Sequence, residues 1–127
     1  MSIKTKVFIS FDYDHDKDLL IGQAKNENSP FYIADYSVKE ELSGDWKEKV
    51  RARIKKVEQV IIMCGEYTDS ATGVNAEIKI AQEENIPYFL LYGRSDKKCL
   101  KPKNANGSDK MYRWAWDNLE ALIGGAR

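Results

Sequence analysis

The stretch from Gln59 to Tyr92, QVIIMCGEYTDSATGVNAEIKIAQEENIPYFLLY, decides the fold. Its ends, QVIIMC (Gln59–Cys64) and PYFLLY (Pro87–Tyr92), are short apolar runs rich in β-branched or aromatic residues and bounded by turn chemistry, the signature of strands. Between them Val74, Ile78 and Ala81 recur on one side of a helical wheel, with Asn75, Lys79, Gln82 and Glu83 opposite. Strand, helix and strand in succession imply parallel pairing, with the helix lying across the sheet.

Glu77 breaks the pattern, because it falls among Val74, Ile80 and Ala81, on the apolar side of the helix or at its margin. It also follows closely on the strand-to-helix loop Gly65–Gly73. In open parallel sheets, ligands bind outside the carboxyl ends of the strands, where such a loop and the first helical turn lie. Two readings stand side by side. Glu77 is either a helix-forming acid favoured by the macrodipole, with its head in solvent, or an acid facing the ligand crevice. Spacing alone leaves both open.

Outward from this unit, KVFISF (Lys6–Phe11) and FYIADY (Phe31–Tyr36) read as two earlier strands, and Met111–Trp114 as a short fifth. Strands alternating with helical segments place the chain in the α/β class, doubly wound, with helices on both faces. Asp45-Trp46-Lys47-Glu48 has the form of a capping box, and Trp46, Val50, Ile54 and Val57 then share one face of a helix. Lys47, Lys49, Arg51, Lys55 and Lys56 form its solvated face. Gly93 to Lys110 is polar and lacks a period, so it is expected to run as a long surface loop. Asp117 to Glu120 resembles a second capping box, opening a helix that stops at Gly124-Gly125.

The 127 residues suffice for one domain, 1–127, around a single core. Lysine and arginine number 20, as do aspartate and glutamate, so no net field draws the protein to nucleic acid or an anionic membrane. Neither is expected as a partner. MSIKTKVFISF has too short an apolar run for a signal peptide or a membrane span, and the chain reads as soluble and cytoplasmic. Cys64 and Cys99 are too few and too distant for a metal knuckle or a disulfide framework, which suits a reducing compartment. His15 is the only histidine, which removes His-pair metal sites and disfavours a Ser-His-Asp hydrolase. No metal is expected. Asp12 and Asp14 suggest a phosphoacceptor receiver, but Met63-Cys64-Gly65 stands where that architecture needs its aspartate.

Three segments carry a family resemblance. KVFISFDY (Lys6–Tyr13) resembles the opening strand of TIR-like domains, SGDWKEKVRARI (Ser43–Ile54) their second box, and GVNAEIKIA (Gly73–Ala81) the segment with their catalytic glutamate. The chain is most similar to the small prokaryotic TIR-like proteins that act as sensors in Thoeris-type antiphage systems, over nearly all of residues 5–93. The resemblance implies a flavodoxin-like, three-layer fold with about five parallel strands in the order 2-1-3-4-5. It implies NAD as substrate rather than a resident cofactor, cleaved at the nicotinamide–ribose bond, with Glu77 in the catalytic position. Phe11, Asp12 and Tyr13 match the nucleotide-holding end of the first strand and its loop, and Gly44 and Trp46 match the loop glycine and the apolar residue after it. Ser70, with Thr68 and Asp69, is placed to add hydroxyl contacts or to cap the helix.

The partners implied are NAD, other copies of the chain, a phage-derived trigger and a separate effector that senses the product. Gly73 stands where many relatives have tryptophan, Asp12 and Tyr13 where some have two arginines, and Leu42 where some animal members have an acid. Two other functions remain open from the residues. One is a non-catalytic TIR-type interaction module, and the other is a nucleoside deoxyribosyltransferase-like enzyme, which also sets a glutamate against a ribosyl centre.

Overall fold

The computed structural model describes residues 5–11, 22, 25, 31–36, 45–65, 72–92, 99–113 and 115–124. Five strands form one sheet: β1 (Thr5–Ser10), β2 (Phe31–Tyr36), β3 (Gln59–Cys64), β4 (Tyr88–Tyr92) and β5 (Met111–Arg113). Among the described residues, the helices α1 (Trp46–Ile54), α2 (Thr72–Glu83) and α3 (Trp116–Ile123) pack on it. The strand order is β2-β1-β3-β4-β5 and every pairing is parallel, as the alternation of elements requires. The α/β class, the strand order and the flavodoxin-like architecture expected from the sequence are those observed.

Alternation along the strands divides the core into two layers. Phe8, Val60, Ile62, Cys64 and Leu90 face Val50 and Ile54 of α1 and Val74, Ile78 and Ala81 of α2. Val7, Ile9, Phe11, Phe31, Ile61, Met63, Phe89 and Leu91 face Leu119, Leu122 and Ile123 of α3. The central strand is covered on both sides, and Val60 through Cys64 are each 1% exposed or less. That explains why β3 reads as an unbroken apolar run rather than an alternating one. β2 carries an extra residue where the register moves from Val7↔Ile33 to Phe8↔Asp35.

Both expected capping boxes are absent. Asp45 does precede α1, but its backbone (φ −102°, ψ 6°) is not extended and its side chain makes no capping bond. A capping side chain reaches the second or third amide from an extended backbone. Here the carboxylate pairs instead with Lys49 at 3.3 Å. Helix α3 starts one residue before Asp117, with extended Ala115 as its N-cap residue, so Asp117 lies inside the first turn and acts on the helix dipole. Asn118 Nδ2 donates to the Arg113 carbonyl at 2.8 Å, joining α3 to the end of β5. Gly124 closes α3 in a right-handed conformation (φ −75°) and not as a left-handed cap.

The basic face of α1 is exposed at Lys47, Lys49, Lys55 and Lys56, as expected. Arg51 departs from it by bridging to α2, with contacts to Glu83 at 2.9 Å and Glu84 at 3.4 Å. Asn85, at φ 56°, turns the chain out of α2, and the Ile86 amide donates to the Ala81 carbonyl at 2.9 Å. Within the expected surface loop, residues 99–110 are tied to the body of the domain. The Leu100 amide donates to the Gly65 carbonyl at 2.8 Å, and Asn104 donates twice to Asn75 of α2, from its amide to Oδ1 at 2.8 Å and from Nδ2 to the carbonyl at 2.9 Å. Near its end, the Tyr88 hydroxyl donates to Asp109 and accepts from Gln82 Nε2 at 3.1 Å. The expected loop Gly65–Gly73 ends earlier than expected, because α2 begins at Thr72.

Candidate active site

Glu77 is the sixth residue of α2 and lies in its second turn; the first turn contains no acid. The macrodipole acts mainly within the first turn, so it does not explain the residue. Its exposure is 1%, which rules out a carboxyl head in solvent. Across from it, Ser10 ends β1 and is completely buried. Ser10 Oγ donates to Glu77 Oε1 at 2.7 Å.

Two local patterns bring these groups together. In β1, Phe8 and Ser10 share the face toward α1 and α2, so the strand presents a hydroxyl where its neighbours present hydrocarbon. In α2, Glu77 lies one turn after Val74 and one turn before Ala81, both of which are buried in the same layer. A buried carboxyl or hydroxyl without a partner costs kilocalories, and each of these answers the other. Ser10 pairs in register with Ile62 of β3, two residues short of Cys64, so the pair sits near the carboxyl edge of the sheet. Ligands of doubly wound sheets bind at that edge.

Not every anticipated site residue gathers there. Phe11 follows Ser10 and is 5% exposed, but its side chain packs in the opposite core layer with Ile9, Phe31 and Met63. Only its main chain is at the edge, because successive residues of an extended chain point to opposite faces. Trp46 opens α1, with its side chain outside the described residues. Asp12, Tyr13, Gly44, Thr68, Asp69 and Ser70 also lie outside them. Ser10 is the residue that sequence reasoning passed over. Its signal was present in KVFISF, where a serine interrupts the helix-facing positions of a buried strand.

Cys64 ends β3 at the same edge and is fully buried. Burial, reinforced by the nearby Cys99, pushes its thiol up to about 12. At neutral pH it is therefore a neutral thiol, and the thiolate that nucleophilic chemistry requires is absent. Among the described residues, no group of three His, Cys, Asp or Glu side chains could hold a metal ion. No helix among them is long and apolar enough to cross a membrane. A cleft of about 240 Å³ lies between α1 and α2, lined by Lys47, Arg51, Ala76, Lys79, Ile80 and Glu83. Another, of about 250 Å³, lies beside β4 and β5 and includes Tyr88, Asp109 and Tyr112. Glu77 lines neither.

A parallel five-stranded sheet in this order, with a buried carboxyl near the carboxyl edge of its first strand, defines a doubly wound, flavodoxin-like domain with a candidate ligand site at that edge. Residues 8–98 match the family described as Thoeris protein ThsB, TIR-like domain, and the chain belongs to that family. The matched span contains both Ser10 and Glu77. Membership places the protein in antiphage defence. No curated protein sequence matches the chain.

Proposed function

We propose that this TIR-like domain cleaves NAD at the nicotinamide–ribose bond and so makes an ADP-ribose-derived signalling molecule during antiphage defence. The observation that carries the reading is the Glu77 carboxyl, 1% exposed and held at 2.7 Å by Ser10 near the carboxyl edge of the sheet. A helix-favouring acid has no need of such a place. Breaking the bond from ribose to a cationic nicotinamide passes through an oxocarbenium-like state. A fixed carboxylate in a water-poor site stabilises that developing charge and accepts hydrogen bonds from the ribose hydroxyls. Nicotinamide leaves as a neutral molecule and needs no general acid. One carboxylate then serves where ordinary glycosidases need two.

In this reading the substrate lies across the carboxyl edge. The main chain at Phe11, the Asp12 and Tyr13 that follow it, and Gly44, Trp46 and Ser70 hold the nucleotide. Water or another nucleophile completes the reaction at the ribose carbon, giving free, cyclised or conjugated ADP-ribose. A phage-derived trigger starts synthesis, copies of the domain associate, and a separate effector protein senses the product.

The test is nicotinamide release from NAD by purified protein, together with mass spectrometry of small molecules from expressing cells with and without phage. Release that depends on Glu77 supports the proposal. Base exchange on nucleosides without NAD cleavage would transfer the site to deoxyribosyltransferase chemistry. Absence of any product in triggered cells that are nevertheless protected would make the domain an interaction module.

A further inference from the structure

We infer that Ser10 is a positioning residue for Glu77: it orients the carboxylate for reaction, a role that rests on the NAD-cleaving reading and extends it. The two side chains come from elements 67 residues apart in sequence and meet at 2.7 Å with neither exposed by more than 1%. The layer that holds them includes the hydrocarbon side chains of Phe8, Ile62, Val74, Ile78 and Ala81.

A purely structural purpose does not account for this pair. Replacing both partners of a buried hydrogen bond by apolar groups of similar shape is close to neutral, so packing alone gives no reason for a hydroxyl facing a carboxyl. Polar groups set against the local pattern of a core are expected at functional sites. Geometry supplies the function. A glutamate side chain has three rotatable bonds, whereas Ser10 is carried by a strand paired on both sides, to β2 and to β3. A short bond from that rigid strand to Oε1 restricts the rotation of the carboxyl group about its last bond. The direction of the whole carboxylate then follows from the sheet and not from side-chain fluctuation. Misplacement of a reacting group by about 1 Å costs on the order of a hundredfold in rate, so such a restraint matters chiefly for turnover.

The experiment compares Ser10→Ala, Ser10→Cys and Ser10→Thr with the parent and with Glu77→Gln. It measures thermal unfolding, NAD affinity, and kcat and KM for nicotinamide release, with trigger-dependent NAD loss in phage-challenged cells as a second readout. Ser10→Ala should bind NAD within about threefold of the parent while kcat falls by about ten- to a hundredfold. Ser10→Thr, which keeps a hydroxyl on a β-branched strand residue, should recover most of that loss. Ser10→Cys, with a weak donor of similar size, should fall between and serves as the comparison if the alanine variant does not fold. An alanine variant as fast as the parent, a change confined to KM, or a threonine variant no better than alanine would overturn the inference. If Glu77→Gln is silent while Ser10→Ala keeps the parent rate, the inference alone fails. If the parent releases no nicotinamide even when triggered, the NAD-cleaving reading fails and the positioning role goes with it.

Discussion

Replacing Glu77 by glutamine separates what the residue does for the fold from what it does for chemistry. Glutamine has nearly the same volume and helix propensity, and its carbonyl oxygen can still accept from Ser10 Oγ, now 2.7 Å from Oε1. A hydrogen bond to a charged group contributes about 1.5–3 kcal/mol and a neutral one about 0.5–1.5, so the exchange weakens this bond by about 1 kcal/mol. Against that, a carboxylate 1% exposed carries a desolvation penalty that the neutral amide does not, an effect of several kcal/mol for a buried ion. The two terms oppose each other, and the variant should be as stable as the parent or more so. Catalysis has no such compensation. Loss of a preorganised charge facing a developing cation lowers the rate by on the order of a hundredfold, or about 2.7 kcal/mol of barrier. Urea unfolding and nicotinamide release should be measured on the same preparations. A glutamine variant that is at least as stable as the parent and a hundredfold slower is the expected result. One that folds normally and cleaves NAD at the parent rate would refute the reasoning.

Other perturbations test the frame around the site. Ile61→Ala removes a side chain with no exposed surface from the central strand and should cost about 2–5 kcal/mol in urea unfolding; a loss below about 1 kcal/mol would contradict the packing. Cys64 should resist iodoacetamide at pH 8 in the native protein and react on unfolding. Its folded thiol, pushed up to about 12, stays protonated while the unfolded one ionises, so its contribution to stability is full below about pH 8.5 and lost between there and about pH 12. Equal slopes of stability against pH for the parent and Cys64→Ala above pH 9 would sink that assignment. Asn85 holds a left-handed turn at φ 56°, so Asn85→Ala should destabilise by about 1 kcal/mol while Asn85→Gly is close to neutral. Equal stability of the two variants would count against strain at that turn.

Much of the architecture was legible because it depends on patterns local in sequence. Four of the five strands are short runs rich in apolar, β-branched or aromatic residues, α2 has a clear buried stripe, and the order of elements leaves parallel pairing with right-handed crossovers as the regular solution. Glu77 stood out for the same reason, as an acid inside a stripe. Local pattern failed at the helix starts. Asp45 and Asp117 have the residue types of capping boxes, but the first has the wrong backbone angles and the second lies inside the helix. Capping depends on φ, ψ and the exact first residue, which the arriving chain determines. Similarly, nothing in the polar run after Gly93 indicated that Asn104 would bond to Asn75, or that Asp109 would accept from Tyr88. Those partners are chosen by the position of α2 and β4.

By itself, the sequence determined the strands, their order and the presence of an anomalous acid on a helix. Tertiary structure alone decided what that acid meets, since nothing joins Ser10 to Glu77, 67 positions away, until α2 packs on the face of β1. It also decided that Phe11 points away from Glu77, into the α3 layer, although it follows Ser10 directly. The physical reason is common to both outcomes. Periodicity records which side of an element is buried, but the partner across the interface, and so the cost or benefit of burying a polar group, exists only once the layers have closed.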